Sequence, residues 1–195
     1  HYNEKLQKNL LNKITFNKFS SLESQVAAIS DDIAYNNHDL QDGIRAELFD
    51  IKKLTSNLKI SKIIKKHSKN LKNYRKEVVV NQVIRELINI MVIDVIKTTK
   101  KNLIITKPKT ISDIYNHNSL IVDFSNNMKI IDKQIKEFLK IYMYNNKKVI
   151  VNTNKGKKIV KDLFKYLSQN TKKHINSSLF KNDTKERVVA DYIAG

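Results

Sequence analysis

The apolar residues between Ser20 and Asp50 recur at the spacing of an amphipathic helix. Most are separated by three, four or seven positions, so they lie on one side of a helix with about 100° per residue. Ser20 and Glu23 have the S-x-x-E spacing of a capping box, which predicts that the helix begins just before this repeat. We therefore expect a long helix whose apolar face is formed by Leu22, Val26, Ile29, Ile33, Leu40 and Ile44.

The opposite face of this predicted helix is polar. Asp31, Tyr35, His38 and Asp42 follow one another at steps of four, three and four, and Asp39 comes one turn after Tyr35. An ordinary solvated face would favour Lys, Glu and Gln. Short carboxylates, a phenol and an imidazole instead suit a cation and a hydroxylated ligand. The alternative interpretation is a plain solvated helix surface.

Further apolar repeats predict helices along most of the remaining chain. The longest covers 77–103 and is apolar nearly all round, which is typical of a buried helix. Within it, we expect Asp94 to pair with a Lys or Arg. Amphipathic helices are predicted at 128–145 and 158–167, with a turn at 154–156 between them. A last helix, capped by Thr184, is predicted to end at Ala194. One or two short amphipathic helices are predicted at 50–72, and a short helix or a lead-in at 1–19. The segment 104–126 is predicted to be irregular, with 120–122 as a short strand or the start of the next helix. Residues 168–183 are predicted to form a polar linker.

The composition favours a folded helical protein. The chain has 195 residues, of which 41% are apolar, and this is enough apolar surface to form a core. The apolar fraction and the low content of Gly (three) and Pro (one) argue against disorder. It contains no Cys, which excludes disulfides and thiolate metal sites. No apolar run approaches the roughly 20 residues needed to span a bilayer, and no signal-peptide pattern is present. We expect a cytoplasmic protein with no membrane partner.

The charge is unevenly distributed. The whole chain has a net charge of +18, whereas residues 20–50 carry seven acids and a single Arg. Only four of the 37 basic residues are Arg, which indicates general lysine enrichment rather than selection for bidentate phosphate contacts. The electrostatic field of a net charge of +18 attracts nucleic acid non-specifically. No nucleic-acid recognition motif accompanies it.

The acidic segment carries a family resemblance. Its sequence SLESQVAAISDDIAYNNHDLQDGIRAELF resembles the corresponding helix of the bacterial deoxyguanosinetriphosphate triphosphohydrolase-like proteins of the HD superfamily. The signature there looks like L-E-x-Q-V-A-x-x-x-D-D-I-A-Y-x-x-H-D-x-x-D-G-x-R-A. The end of the chain, 187–195, is similar to the family's R-x-x-x-D-Y-I-A-G segment. The resemblance covers nearly the whole chain from about Ser20 and implies an all-α, HD-domain-like fold.

The resemblance also implies which part of the family's proteins this chain represents. The family's upstream His and its His-Asp pair in an H-D-x-G-H context have no counterpart here, and His38-Asp39 follows the last metal carboxylate rather than preceding it. We therefore expect the C-terminal part of a longer protein. Residues 1–195 are interpreted as one helical region, with a lead-in at 1–19, a site helix at 20–50 and a C-terminal helical part at 51–195.

The function that the resemblance implies is metal-dependent hydrolysis of a deoxynucleoside triphosphate to a deoxynucleoside and triphosphate. The implied cofactor is a divalent metal, Mg or Mn, and the implied assembly is a homo-oligomer. We expect this chain to be inactive alone, because three of the four metal ligands of the family would lie outside it. The alternative is a non-catalytic remnant of a split gene that binds a nucleotide or nucleic acid.

The resemblance assigns roles to individual residues. Asp31 is the expected metal ligand, because Asp32 lies about 100° further round the helix, away from the centre of the polar face. Tyr35 is expected to contact a phosphate oxygen and Asp39 the sugar hydroxyl, with interior hydrogen bonds as the alternative. Further candidates are Asp32, His38 and Asp42 in support of the site, Arg45 and Arg187 for phosphate or carboxylate contacts or as salt bridges, and Asp191 and Tyr192 in the pocket or in helix packing.

Overall fold

The computed structural model describes residues 19–57, 75–176 and 183–195. Most of these residues lie in helices, and none of the described residues lies in a strand. The prediction of an all-α, HD-domain-like fold is therefore confirmed. None of the described helices is long and apolar enough to cross a membrane. The elements are α1 (Leu22–Arg45), α2 (Ile51–Asn57), α3 (Lys76–Thr106), α4 (Ile111–Tyr115), α5 (Asn126–Leu139), a π-helix (Lys140–Tyr144), α6 (Lys147–Gln169), α7 (Thr171–His174) and α8 (Lys185–Ala194).

The chain divides into two compact units, residues 1–142 and 143–195. In the first unit α1 packs against α3 and α5, and in the second α6 packs against α7 and α8. Residues 1–18 of the predicted lead-in lie outside the described residues. Residues 58–72 of the predicted helical segment 50–72 also lie outside them. The interpretation of the chain as one helical region of a longer protein stays a prediction.

The core of the first unit lies between α1 and the first half of α3. Leu40, Leu87 and Met91 are completely or almost completely buried there, and each such side chain contributes about 1.5–3 kcal/mol by its removal from water. The prediction that α3 is buried all round is wrong for its second half. Ile93 and Ile96 are 40% and 48% exposed.

The segment before α5 is irregular but buried. Residues 120–122 form neither the strand nor the helix start that their sequence suggested, yet Ile121 and Val122 are buried. Ser125 then caps α5 by accepting a hydrogen bond from the Met128 amide. Asp94 of α3 accepts hydrogen bonds from both the amide and the hydroxyl of Ser125, each at 2.8 Å. No Lys or Arg among the described residues forms an ion pair with Asp94, so the expected pairing is not found in this part of the chain.

In the second unit α6 is one continuous helix. The predicted turn at 154–156 is wrong, because the helix runs through Gly156 for 23 residues in all. A glycine in a helix interior is unfavourable but does not break the helix. The buried cluster of this unit forms where α6 ends. Thr184 caps α8 as predicted, by accepting from the Arg187 amide. The cluster contains Leu167, Ile175, Val188 and Val189, with Phe164 and Ile193 packed against it.

Candidate functional site

The predicted site helix begins one residue later than its capping pattern suggested. Ser21, not Ser20, is the N-cap, and its hydroxyl accepts a hydrogen bond from the Ser24 amide at 3.3 Å. Glu23 in the first turn accepts hydrogen bonds from its own amide and from the Ser21 hydroxyl, which lower the pKa of its carboxyl. The carbonyl of Ser20 is occupied by another side chain, Gln25.

At the start of α1, Gln25 rather than Val26 lies on the buried side of the helix. The Val26 side chain is 48% exposed, so its predicted place on the apolar face is wrong, whereas Ile33, Leu40 and Ile44 are buried as predicted. Gln25 is only 4% exposed. Its Nε2 donates to the Ser20 carbonyl at 2.8 Å, and its Oε1 accepts from the amides of Ile121 and Val122 at 3.0 and 3.1 Å.

The polar face of α1 is largely exposed to solvent, as predicted. Asp31 and His38 are exposed and Tyr35 is 57% exposed, and none of the three forms a hydrogen bond or ion pair with another described residue. Asp39 is partly buried beside them. Asp42 pairs with Arg45 at 3.5 Å at the end of the helix. The structure thus confirms that these side chains share one side of α1, and their roles stay predictions.

Asp32 is engaged elsewhere. Its Oδ2 accepts a hydrogen bond of 2.9 Å from Nζ of Lys136 on α5, and Lys136 also pairs with Asp132 at 2.9 Å. Burial lowers the pKa of Lys136, but the hydrogen bonds to Asp32 and Asp132 outweigh that effect and raise its pKa above the ordinary value. These residues line an open pocket of about 360 Å³, together with Gln25 and the ion pair of Lys129 with Asp123.

Gln25, Lys136 and Asp132 were not among the site residues predicted from the sequence. A search for apolar periodicity passes over a buried amide, and nothing local distinguishes Lys136 from the many other lysines of the chain. The one available signal for Gln25 was its place in the L-E-x-Q-V-A signature. Buried polar side chains are hydrogen-bonded, and their partners can be backbone groups. A polar residue beside an apolar stripe is therefore a candidate for a buried, hydrogen-bonded side chain.

The remaining predicted site residues belong to the second unit. Arg187 donates from Nε to Oδ2 of Asp191 at 2.8 Å, one turn apart on α8, and both side chains are more than half exposed. Tyr192 is 52% exposed. The salt-bridge interpretation of Arg187 is thus realised within α8. A part for these three residues in one site with Asp31 stays a prediction.

The described residues do not form a metal centre by themselves. Within 19–57, 75–176 and 183–195 no three His, Asp or Glu side chains converge to hold an ion. Asp31 offers one exposed carboxylate, and hard divalent cations take several oxygen ligands. A metal bound through Asp31 would therefore need further ligands from water or from groups outside the described residues.

The sequence is similar to a known domain and to known proteins. Residues 122–195 match the phosphohydrolase-associated domain, which begins beside the amides that Gln25 binds. A deoxyguanosinetriphosphate triphosphohydrolase-like protein of Pelagibacter ubique is 47% identical over 188 residues, which cover 96% of this chain and 50% of that protein. Proteins of the same name from Rickettsia peacockii and Bartonella henselae are 35% and 33% identical over 96% and 97% of this chain. The chain spans about half the length of these relatives.

Proposed function

We propose that this chain is the part of a hydrolase that carries Asp31, because nearly its whole length is homologous to about half of the length of the deoxyguanosinetriphosphate triphosphohydrolase-like proteins. The complete protein would convert a deoxynucleoside triphosphate such as dGTP to a deoxynucleoside and triphosphate, with Mg or Mn as cofactor. The observation that carries this proposal is the exposed face of α1, where Asp31 and Tyr35 have no partner among the described residues.

In this proposal Asp31 is the metal ligand and Asp32 is not. The contact between Asp32 and Lys136 supports the choice, because a carboxylate that already accepts from an ammonium group is a poorer ligand for a cation. The exposed carboxylate of Asp31 needs no rearrangement to bind an ion. A bound divalent cation would polarise phosphate and lower the pKa of a bound water.

The nucleotide is proposed to lie along the same face of α1. The phenol of Tyr35 would donate to a phosphate oxygen, and the carboxylate of Asp39 would accept from the sugar hydroxyl. His38 and Asp42 would support these groups from the same side of the helix. Arg45 is proposed as a further phosphate contact, because a guanidinium can bind a phosphate with two parallel hydrogen bonds. In the second unit, Arg187, Asp191 and Tyr192 stay predicted nucleotide contacts.

The chain alone is proposed to be inactive, since no three His, Asp or Glu side chains of the described residues converge to hold an ion. The full protein is proposed to act in the cytoplasm and as a homo-oligomer. A direct test joins this chain to the portion of the Pelagibacter ubique relative that the match leaves uncovered. The chimera and the chain alone are then incubated with dGTP and Mn²⁺, and triphosphate release is measured.

We expect the chimera to release triphosphate and the chain alone to release none. An Asp31→Ala chimera is the control that ties any activity to the site helix. A folded, Mn²⁺-binding chimera without activity on any deoxynucleoside triphosphate would contradict the proposal. Turnover by the chain alone would contradict the assignment of the other ligands to groups outside it.

A second candidate function is non-catalytic binding of a nucleotide or nucleic acid. The observation that favours it is α6, which carries seven Lys and one acid and is exposed on all sides from 150 to 163. Binding to phosphates through lysines is strongly weakened by salt. Fluorescence anisotropy with a labelled single-stranded oligonucleotide, at several salt concentrations, measures this. Binding that remains unchanged when Lys157, Lys158 and Lys161 are replaced by Gln would exclude α6 as the binding surface.

A further inference from the structure

Two side chains on one side of α1 attach this helix to the rest of the first unit. Gln25 and Asp32 are seven residues apart, so they lie on the same side of the helix, about 10 Å apart along its axis. Ile29 lies between them, and all three line the same open pocket. Gln25 binds the backbone of residues 121 and 122, and Asp32 binds Lys136 of α5. Both attachments therefore connect α1 to one neighbouring layer.

The two attachments differ in strength. The Gln25 side chain is almost completely buried, and it satisfies two backbone amides and one backbone carbonyl at once. Removal of its amide would leave buried donors without an acceptor, which is the costly case for hydrogen bonds. Asp32 and Lys136 are 58% and 44% exposed, and exposed ion pairs are weak. Gln25 is thus the stronger constraint on the helix.

We propose that Gln25 is a positioning residue that fixes the rotation of α1 about its own axis, with the contact between Lys136 and Asp32 as the weaker second attachment. Asp31 and Asp32 are neighbours in sequence and point about 100° apart. The side of α1 that faces residues 121–124 and α5 therefore decides where Asp31 and Tyr35 point. The segment that matches the phosphohydrolase-associated domain supplies Val122 and Lys136 to these attachments.

The importance of this rotation for catalysis rests on the proposed function, but the rotation itself can be measured without metal or substrate. The chain contains no Cys, so two spin labels can be introduced at Ser30→Cys on α1 and Lys133→Cys on α5 without further changes. Both positions are exposed. Double electron–electron resonance then gives the distribution of distances between the labels in the full chain.

The variants separate hydrogen bonding from side-chain size. Gln25→Met keeps the length of the side chain and removes its hydrogen bonds, and Gln25→Asn keeps the amide but is too short to reach all three backbone partners. Gln25→Glu keeps the acceptor for the two amides. The matched control is Gln41→Met, because Gln41 lies on the same helix and donates one hydrogen bond to Asn81.

We expect the distance distribution to shift and broaden in Gln25→Met and Gln25→Asn, to change less in Gln25→Glu, which loses only the donor to the Ser20 carbonyl, and to stay close to the parent in Gln41→Met. Lys136→Met should cause a smaller broadening. If Gln25→Met does not fold, Gln25→Asn and Lys136→Met provide the comparison. An unchanged distribution in every folded Gln25 and Lys136 variant would overturn the proposal. A smaller change in Gln25→Glu than in Gln25→Met distinguishes a positioning role from general loss of packing, and this comparison remains interpretable even if the complete protein proves not to be a hydrolase.

Discussion

Gly43 near the end of α1 lies directly against the ring of Phe49. A Cβ added at Gly43 would stand 2.3 Å from Cζ and 2.4 Å from Cε1 of that ring. The ring itself is 6% exposed and contacts Phe138 of α5 edge to face, with centroids 4.8 Å apart. The chain folds back over Gly43 after the helix ends, so only a residue without a side chain fits there.

We expect Gly43→Ala to destabilise the protein, because Phe49 is held by Phe138 and cannot move away without cost. Overpacking of this kind costs about 1–3 kcal/mol in the free energy of unfolding. Gly156→Ala is the matched control, since nothing lies within 4 Å of its added Cβ and Ala is favoured over Gly in a helix by about 0.5–1 kcal/mol. Urea unfolding measures both. A Gly43→Ala protein as stable as the parent would show that the ring can move.

The two neighbouring aspartates should differ in the chimera that completes the proposed hydrolase. Asp31→Ala should remove bound Mn²⁺ and lower triphosphate release by about 10²–10³-fold or more, the size of a lost transition-state contact. Asp32→Ala should retain the metal and most of the activity, because Asp32 is paired with Lys136. Metal content and initial rates are measured together. Loss of metal in Asp32→Ala alone would reverse the assignment.

Nucleotide contacts should be separable from metal binding in the same chimera. Tyr35→Phe removes one hydroxyl donor, and Asp39→Asn removes one negative charge, so each should impair nucleotide handling while Mn²⁺ stays bound. Isothermal titration of Mn²⁺ and steady-state kinetics with dGTP distinguish the two effects. The assignment fails if either variant loses its metal, or if both retain the parental kinetics.

Asp94 should be a strong contributor to stability. It accepts two hydrogen bonds of 2.8 Å from Ser125 and so connects α3 to the start of α5. Hydrogen bonds to a charged group contribute about 1.5–3 kcal/mol, so Asp94→Ala should lower the free energy of unfolding by that order. Asp162→Ala on the exposed surface of α6 is the control and should change it by less than about 0.5 kcal/mol. Equal effects of the two substitutions would contradict this role.

The contribution of Lys136 should depend on pH in the alkaline range. Its pKa in the folded protein is raised above the ordinary 10.5. The protonated form therefore stabilises the folded state, fully below pH 10.5 and progressively less as the pH rises through the folded pKa. The stability difference between the parent and Lys136→Met should shrink above pH 10.5. Chemical unfolding from pH 7 to 11 provides the measurement.

The sequence predicted the elements better than their contacts. The periodicity of α1 located its polar face correctly, because a helix fixes the relative directions of Asp31, Tyr35 and His38 whatever surrounds it. It misplaced Val26, since burial depends on whether a neighbouring element reaches that turn. The burial of the second half of α3 was overestimated for the same reason.

Long-range polar contacts were beyond the sequence. The partners of Gln25 are backbone groups almost a hundred positions away, and Lys136 is 104 positions from Asp32. The turn predicted at 154–156 relied on a glycine signal that a helix can accommodate at modest cost. Of the candidate site, sequence could therefore predict which residues share a helix face and could not predict which of them were already engaged.

The exposure of α6 has a consequence for how the chain opens and closes. From 150 to 163 every side chain of the helix is exposed, so tertiary packing contributes little to the stability of these turns, and isolated helices of this length are marginal in water. Their amide hydrogens should exchange with solvent through local fraying, at rates that Gly43→Ala leaves unchanged. The amides around Leu167, which is anchored in its cluster, should exchange more slowly. We therefore expect the first half of α6 to open independently of the buried cluster at its end.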